Sequence, residues 1–200
     1  MGINLQKGQK ISLEKESPGL SKVIMGLGWD INKNKNSGGG FFNKLFSQQN
    51  SAFDLDAACI MLNDTGKLEN MVYYSNLKSP DGSITHTGDN LTGEGEGDDE
   101  QIIVDLKNVP SNIQKLVFAV SIFQSKERKQ DFGQVENAFV RMIDQAKNSE
   151  IAKYNLSSSY PGMTSMILAE VSRENNGWTM AAVGEASKAG SLHEVSQHYK

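Results

Sequence analysis

Short runs of alternating or briefly unbroken apolar residues recur along this chain, punctuated by Gly, Asn, Asp and Pro. A period of two puts alternate side chains on one face, so such runs predict β-strands. Residues 10–13 form the first and residues 23–29 the second. Gly26 and Gly28 in the second predict a bulge or a close backbone approach. Residues 53–62 form a third, with Phe53, Leu55, Ala57, Cys59 and Met61 on one face and Asp54 and Asp56 on the other, solvent-facing side. Beyond Ala57 both faces are apolar, as expected where a strand passes from an exposed rim into a sandwich centre. Residues 71–75, 101–106 and 115–123 continue the series. Residues 151–156 are weaker, and residues 138–144 fit a strand or a helix. Residues 163–173 and 178–184 flank Asn175-Asn176-Gly177, a hairpin signal. Residues 191–199 predict a short helix. The whole predicts a mostly β fold, one antiparallel β-sandwich domain over residues 1–200 with few short helices. The intervals are too short for the helical crossovers of a parallel α/β sheet.

Residues 31–52 break the rhythm. They run through Asn-Lys-Asn-Lys-Asn, then Ser37-Gly38-Gly39-Gly40, then Phe41-Phe42-Asn43-Lys44-Leu45-Phe46, with three lysines and no acid. Loops of this length are functional or disordered when they lack structure of their own. A flexible insertion, dispensable for folding and with its aromatics tucked onto the sandwich, is one reading. A contact surface for a membrane or partner protein is the other.

Composition adds limits rather than a function. With 38% hydrophobic and 22% charged residues, the chain falls among ordinary globular proteins. No apolar run approaches the ~18 residues of a membrane-spanning helix. The opening Met1-Gly2-Ile3-Asn4-Leu5-Gln6 lacks a secretion signal's cationic start, and Gln6 breaks the myristoylation pattern. A lone Cys59 in an apolar run forms no intrachain disulfide and is expected to be buried and inert. Cytoplasmic residence is the expectation, with attachment to the inner face of the membrane left open.

Charge changes the picture more. Residues 81–100 hold seven acids and no Lys or Arg, so removing their −7 from the net −4 leaves +3 on the rest. Their core is Gly88-Asp89-Asn90-Leu91-Thr92-Gly93-Glu94-Gly95-Glu96-Gly97-Asp98-Asp99-Glu100. Hard divalent cations prefer carboxylate and carbonyl oxygens, and calcium accepts ~6–8 of them in flexible geometry. Alternating glycines let the backbone curl, and clustered carboxylates repel one another unless a cation neutralises them. Asp54 and Asp56, from a neighbouring strand end, and Asp30, after Trp29, are further ligand candidates. An EF-hand fits the length but not the pattern: Leu91 and Gly93 stand at ligand positions, and Glu94 replaces the required Gly. The acids also argue against a phosphate cradle.

Trp29-Asp30, Phe53-Asp54-Leu55-Asp56-Ala57 and the run from Gly88 to Glu100 followed by Ile102 resemble the TerD family of tellurium-resistance and stress proteins. The resemblance takes in nearly the whole chain, including residues 81–87 and Asn137-Ala138-Phe139. Cys59-Ile60-Met61-Leu62 and the Gly-Phe-Phe insertion are more similar to the TerZ branch. The resemblance implies a β-sandwich that binds calcium through clustered aspartates and acts in resistance to tellurite, phages and pore-forming colicins through membrane-associated complexes. Asp30, Asp54, Asp56, Asp89, Asn90, Asp98, Asp99 and Glu100 stand at its motif positions. Glu94 and Glu96 occupy variable slots that tune affinity or lend backbone carbonyls. More than one calcium is expected, because these ligands exceed one coordination shell.

The other polar residues carry no chemistry at this level. His193 and His198 lie five apart, so a helix sets them about 140° apart rather than together on a metal. His86 is read as a loop histidine that could at most orient a carboxylate. Met163, Met166, Met180, Trp29 and Trp178 are read as core. Lys and Arg are scattered, so no nucleic-acid partner is expected. The expected function is a non-enzymatic calcium-binding stress-response protein acting through other stress-response proteins or the membrane surface. A magnesium- or manganese-dependent hydrolase, or a module that bridges lipid or nucleotide through calcium, are the alternatives.

Overall fold

The computed structural model describes residues 2–31, 53–88, 97–156, 160–174 and 177–200. Most of the insertion, residues 89–96 of the acidic loop, and Asn175 and Asn176 therefore lie outside the described residues.

Among the described residues, alternation resolves into twelve strands in two six-stranded sheets. The first sheet orders β1 (Ile3–Asn4), β10 (Ser149–Asn155), β9 (Val135–Asp144), β3 (Lys22–Ile31), β7 (Glu100–Asp105) and β6 (Ile84–His86). The second orders β2 (Lys10–Ser12), β12 (Gly177–Ser187), β11 (Ser165–Glu174), β8 (Ile113–Ile122), β4 (Leu55–Asn63) and β5 (Leu68–Tyr73). Every pairing is antiparallel except β1 with β10. The two inner faces share one core, with Met25, Leu27, Ile102 and Val104 meeting Ala57, Cys59, Met61 and Phe118. Burial pushes the Cys59 thiol pKa well above its usual value, as an inert core cysteine requires.

The expected sandwich is present, with differences in detail. Residues 138–144 are strand, since β9 sits between β3 and β10 and must supply a ladder to both. The fifth strand spans Leu68–Tyr73 rather than residues 71–75, and the turn at Tyr73–Asn76 ends it before Ser75. β1 and β6 are too short for alternation to reveal. Met163 precedes β11, whereas Met166 and Met180 are core, as are Trp29 and Trp178. Glu174 pairs with Gly177, the two-residue hairpin register that Asn-Asn-Gly predicts.

β4 is apolar on both faces for a reason other than depth in the sandwich. Three short α-helices, α1 (Leu13–Glu16), α2 (Ser125–Arg128) and α3 (Leu192–Ser196), occur among the described residues, and the outward Ala58, Ile60 and Leu62 of β4 join Val117 and Ala119 of β8 under Leu192 and Val195 of α3. Ser191 caps that helix by accepting from the Glu194 amide. His193 and His198 are exposed on this segment, apart from any site.

Candidate loop-stem site

Asp98, Asp99 and Glu100 form the stem by which the acidic loop joins β7. Each is held by a different part of the sandwich.

Asp98 lies over the outer face of the first sheet. Gly26 of β3 pairs with Gln101 on one side and Arg141 on the other, so a residue without a side chain separates two long polar ones. The Asp98 carboxylate fills that slot, and a Cβ on Gly26 would overlap it. Arg141 Nε donates to Oδ1 at 2.6 Å and Gln101 Nε2 to Oδ2 at 3.0 Å. The Asp98 side chain is only 1% exposed, so a buried carboxylate meets a partly exposed guanidinium in a charge-assisted pair. Arg141 also lies 3.7 Å from Glu150. One strand step on, the Gly97 carbonyl comes within 2.6 Å of where a Gly28 Cβ would stand. Gly26 thus makes room for a carboxylate, and Gly28 for the Phe139 ring as well as the Gly97 carbonyl, so close backbone approach accounts for Gly28 only in part.

Asp99 runs alongside β3. Its amide donates to Leu27 O at 2.7 Å, and its Oδ2 accepts from the Trp29 amide at 2.9 Å. Trp29 sits in a register shift between Gly28 and Asp30, the bulge that the glycines also predicted. Burial pushes the Asp99 pKa up, and the like charges of Asp30 and Asp98 add to the rise against the Trp29 hydrogen bond. Asp30 is exposed and accepts from Asn137 Nδ2 at 2.8 Å. Asn137 has φ 52°, a left-handed conformation that Asn tolerates better than most residues.

Glu100 points the opposite way, into the sandwich with Ile102 and Val104. Its Oε2 accepts from the Ala57 amide of β4 at 2.7 Å, bridging the sheets. His86 Nε2 lies 3.4 Å from the same oxygen, with both side chains fully buried. The Gly88 amide donates to His86 Nδ1, and Nε2, on the side of Glu100, makes no hydrogen bond among the described residues. His86 is therefore not a loop histidine: it ends β6 with its ring in the core.

Asp54 and Asp56 are not solvent-facing; each is 5% exposed. A short helix, α2 (Ser125–Arg128), brings Arg128 to 3.6 Å from Asp54 and over the Phe123 ring. Asp56 pairs in register with the buried Ser121. Alternation set these acids opposite the core, but that face is covered here.

The structure thus brings Asp30, Asp98 and Asp99 into electrostatic contact and sets Glu100, Asp54 and Asp56 in separate contacts. Among the described residues, no group of three His, Cys, Asp or Glu is placed to hold a metal ion. Asp89, Asn90, Glu94 and Glu96 lie outside the described residues. Sequence reasoning missed Arg141 and Gln101. The signal available was the glycine doublet, which marks where another segment must lie.

The TerD domain model matches residues 1–199. The chain belongs to the TerD family. The stress response protein SCP2 of Bacillus subtilis (strain 168) is 50% identical over 202 residues, covering 100% of both chains. The tellurium resistance protein TerD of Serratia marcescens is 39% identical, covering 100% of this chain and 97% of that one. TerZ of the same organism is also 39% identical, over 96% and 94%. A crystal structure of a TerD homologue from Streptomyces coelicolor A3(2) superposes with a TM-score of 0.68 at 18% identity, covering 91% and 99% of the chains. That likeness shows the TerD fold. No helix among the described residues is long and apolar enough to cross a membrane.

Proposed function

We propose that this TerD-family chain is a calcium-binding, non-enzymatic stress-response protein acting through partner proteins or at a membrane surface. The observation that carries the reading is the gathering of Asp30, Asp98 and Asp99 at the loop stem, where burial first, and then the charges of Asp30 and Asp98, disfavour ionisation of Asp99. A divalent cation there relieves that repulsion, and carboxylate oxygens are the hard donors calcium takes. Asp30 and Asp99 would hold the ion with Asp89, Asn90, Glu94 and Glu96, while Asp98 and Glu100, turned to opposite faces of the first sheet, anchor the stem. Asp54 and Asp56, tied to the second sheet, belong to a further shell. The names of the relatives supply stress response and tellurium resistance as the setting. The hydrolase alternative needs an accessible base beside the loop, and the His86 ring at the stem is fully buried.

Native mass spectrometry of the purified chain tests the reading. We expect calcium adducts, more than one ion per chain, that chelator removes and millimolar magnesium does not displace. A spectrum unchanged by calcium would overturn it. Pelleting with anionic vesicles, with calcium and with chelator, separates membrane from protein partners.

A further inference from the structure

The acidic stem is seated by a cation of the chain's own. Gln101, Gly26 and Arg141 stand abreast on three neighbouring strands, and Asp98 lies in the gap left by the glycine, bonded on both sides. A surface ion pair needs no such slot. Here a glycine, a donor on each flank and an almost fully buried carboxylate converge, although Arg141 and Asp98 are 43 residues apart in the chain. The neighbouring backbone follows from this seat: with Asp98 fixed, the Asp99 amide reaches Leu27 O and its carboxylate reaches the Trp29 amide.

We propose that Arg141 is a built-in counter-cation that latches the loop stem before any ion binds. It neutralises Asp98, holds Gly97–Asp99 against β3, and leaves Asp99 and Asp30 as the acids at the stem that an incoming cation serves. The second half rests on the calcium reading above; the latch itself does not. Arg141 is then a positioning residue. Its loss makes order in the stem depend on calcium, whereas in the native chain the stem is ordered without it.

Amide hydrogen exchange on the full chain in chelator tests this, read at Asp99 and Trp29 and, as reference, at Val140 and Met142 of β9. Arg141→Gln should speed exchange at Asp99 and Trp29 by about tenfold or more and leave the reference amides protected. Arg141→Lys, which keeps the charge, should restore most of the protection. Calcium should re-protect the stem of Arg141→Gln; if the stem loosens and calcium does not restore it, the latch stands and the calcium reading falls. Native-like exchange at Asp99 and Trp29 in Arg141→Gln would overturn the latch, as would an equal loss across β9. Should Arg141→Gln fail to fold, the double variant Asp98→Asn/Arg141→Gln removes both charges. Its recovery supports the pairing, and its failure to fold overturns it.

Discussion

A missing Cβ decides where the acidic loop rests. At Gly26 the Asp98 carboxylate occupies the space a side chain would fill, so Gly26→Ala must displace it or shift β3. Forced overpacking costs about 1–3 kcal/mol. We expect a fall of that size in urea-unfolding free energy, together with weaker calcium binding by calorimetry. Asp99 gives a second expectation at this scale, with its own sign. Its folded pKa is raised, by burial first and by Asp30 and Asp98 next, so the folded chain holds a proton more tightly than the unfolded one. In chelator this group therefore lowers stability as pH rises from the ordinary carboxylate range through the raised value. Asp99→Asn should flatten that part of the profile, measured by thermal melting across acidic pH. Asp144 works in the opposite sense. It accepts hydrogen bonds from Ser17 Oγ and the Ala146 and Lys147 amides and sits beside the Lys147 ammonium, and its pKa is lowered. Its contribution is present above the unfolded pKa and lost as pH falls through the folded one. Arg141 was invisible in the sequence for a plain reason: its partner is distant in the chain, and only the pairing of β9 with β3 sets the two together.

Among the elements, β4 is held from every side, because β8 and β5 pair with its two edges and both of its faces are covered. Its inward Ala57, Cys59 and Met61 belong to the sandwich core, while Ala58, Ile60 and Leu62 join a second cluster that Leu192 and Val195 of α3 help to cover. The fully apolar pattern was legible; its cause was not, because the covering helix comes at the far end of the chain. Leu192 is 3% exposed, and truncating a buried leucine costs about 2–5 kcal/mol depending on how far the site collapses. Leu192→Ala should therefore lower the urea midpoint strongly while leaving ion stoichiometry by mass spectrometry unchanged. The same contrast separates what sequence reading reached from what it did not. The hairpin between β11 and β12 was legible because Asn-Asn-Gly acts locally on its own backbone. β6 was not, since three residues cannot display a period, and so His86 read as loop. The error over Asp54 and Asp56 is of the second kind: alternation sets them opposite the core, but distant segments cover that face, α2 reaching Asp54 through Arg128.

Across the whole molecule, the termini of several strands gather the acids at one end of the sandwich. β3 ends there at Asp30 and Ile31, β4 begins there just after Asp54, and β7 begins there at Glu100, with the bond from the Ala57 amide to Glu100 tying the two sheets. The turn holding Asp64 follows β4 at the opposite end. This separation allows a test of ion-linked stability with an internal control. An ion that binds only where its ligands converge stabilises the folded state by RT ln(1 + [L]/Kd), about 2.7 kcal/mol at a hundredfold excess over Kd. For a chain of this size, at ~2–4 °C per kcal/mol, the melting temperature should rise by about 5–10 °C. Chelator should reverse the rise. Asp89→Ala and Asp99→Ala should abolish most of it, whereas Asp64→Ala should retain it in full. Asp98→Ala is expected to differ from both, because it also leaves Arg141 with Glu150 alone and so lowers the melting temperature in chelator as well as in calcium. Superimposable melting curves for the native chain in calcium and in chelator would contradict a calcium site in the acidic loop, and would leave Arg141 as the only cation that the stem requires.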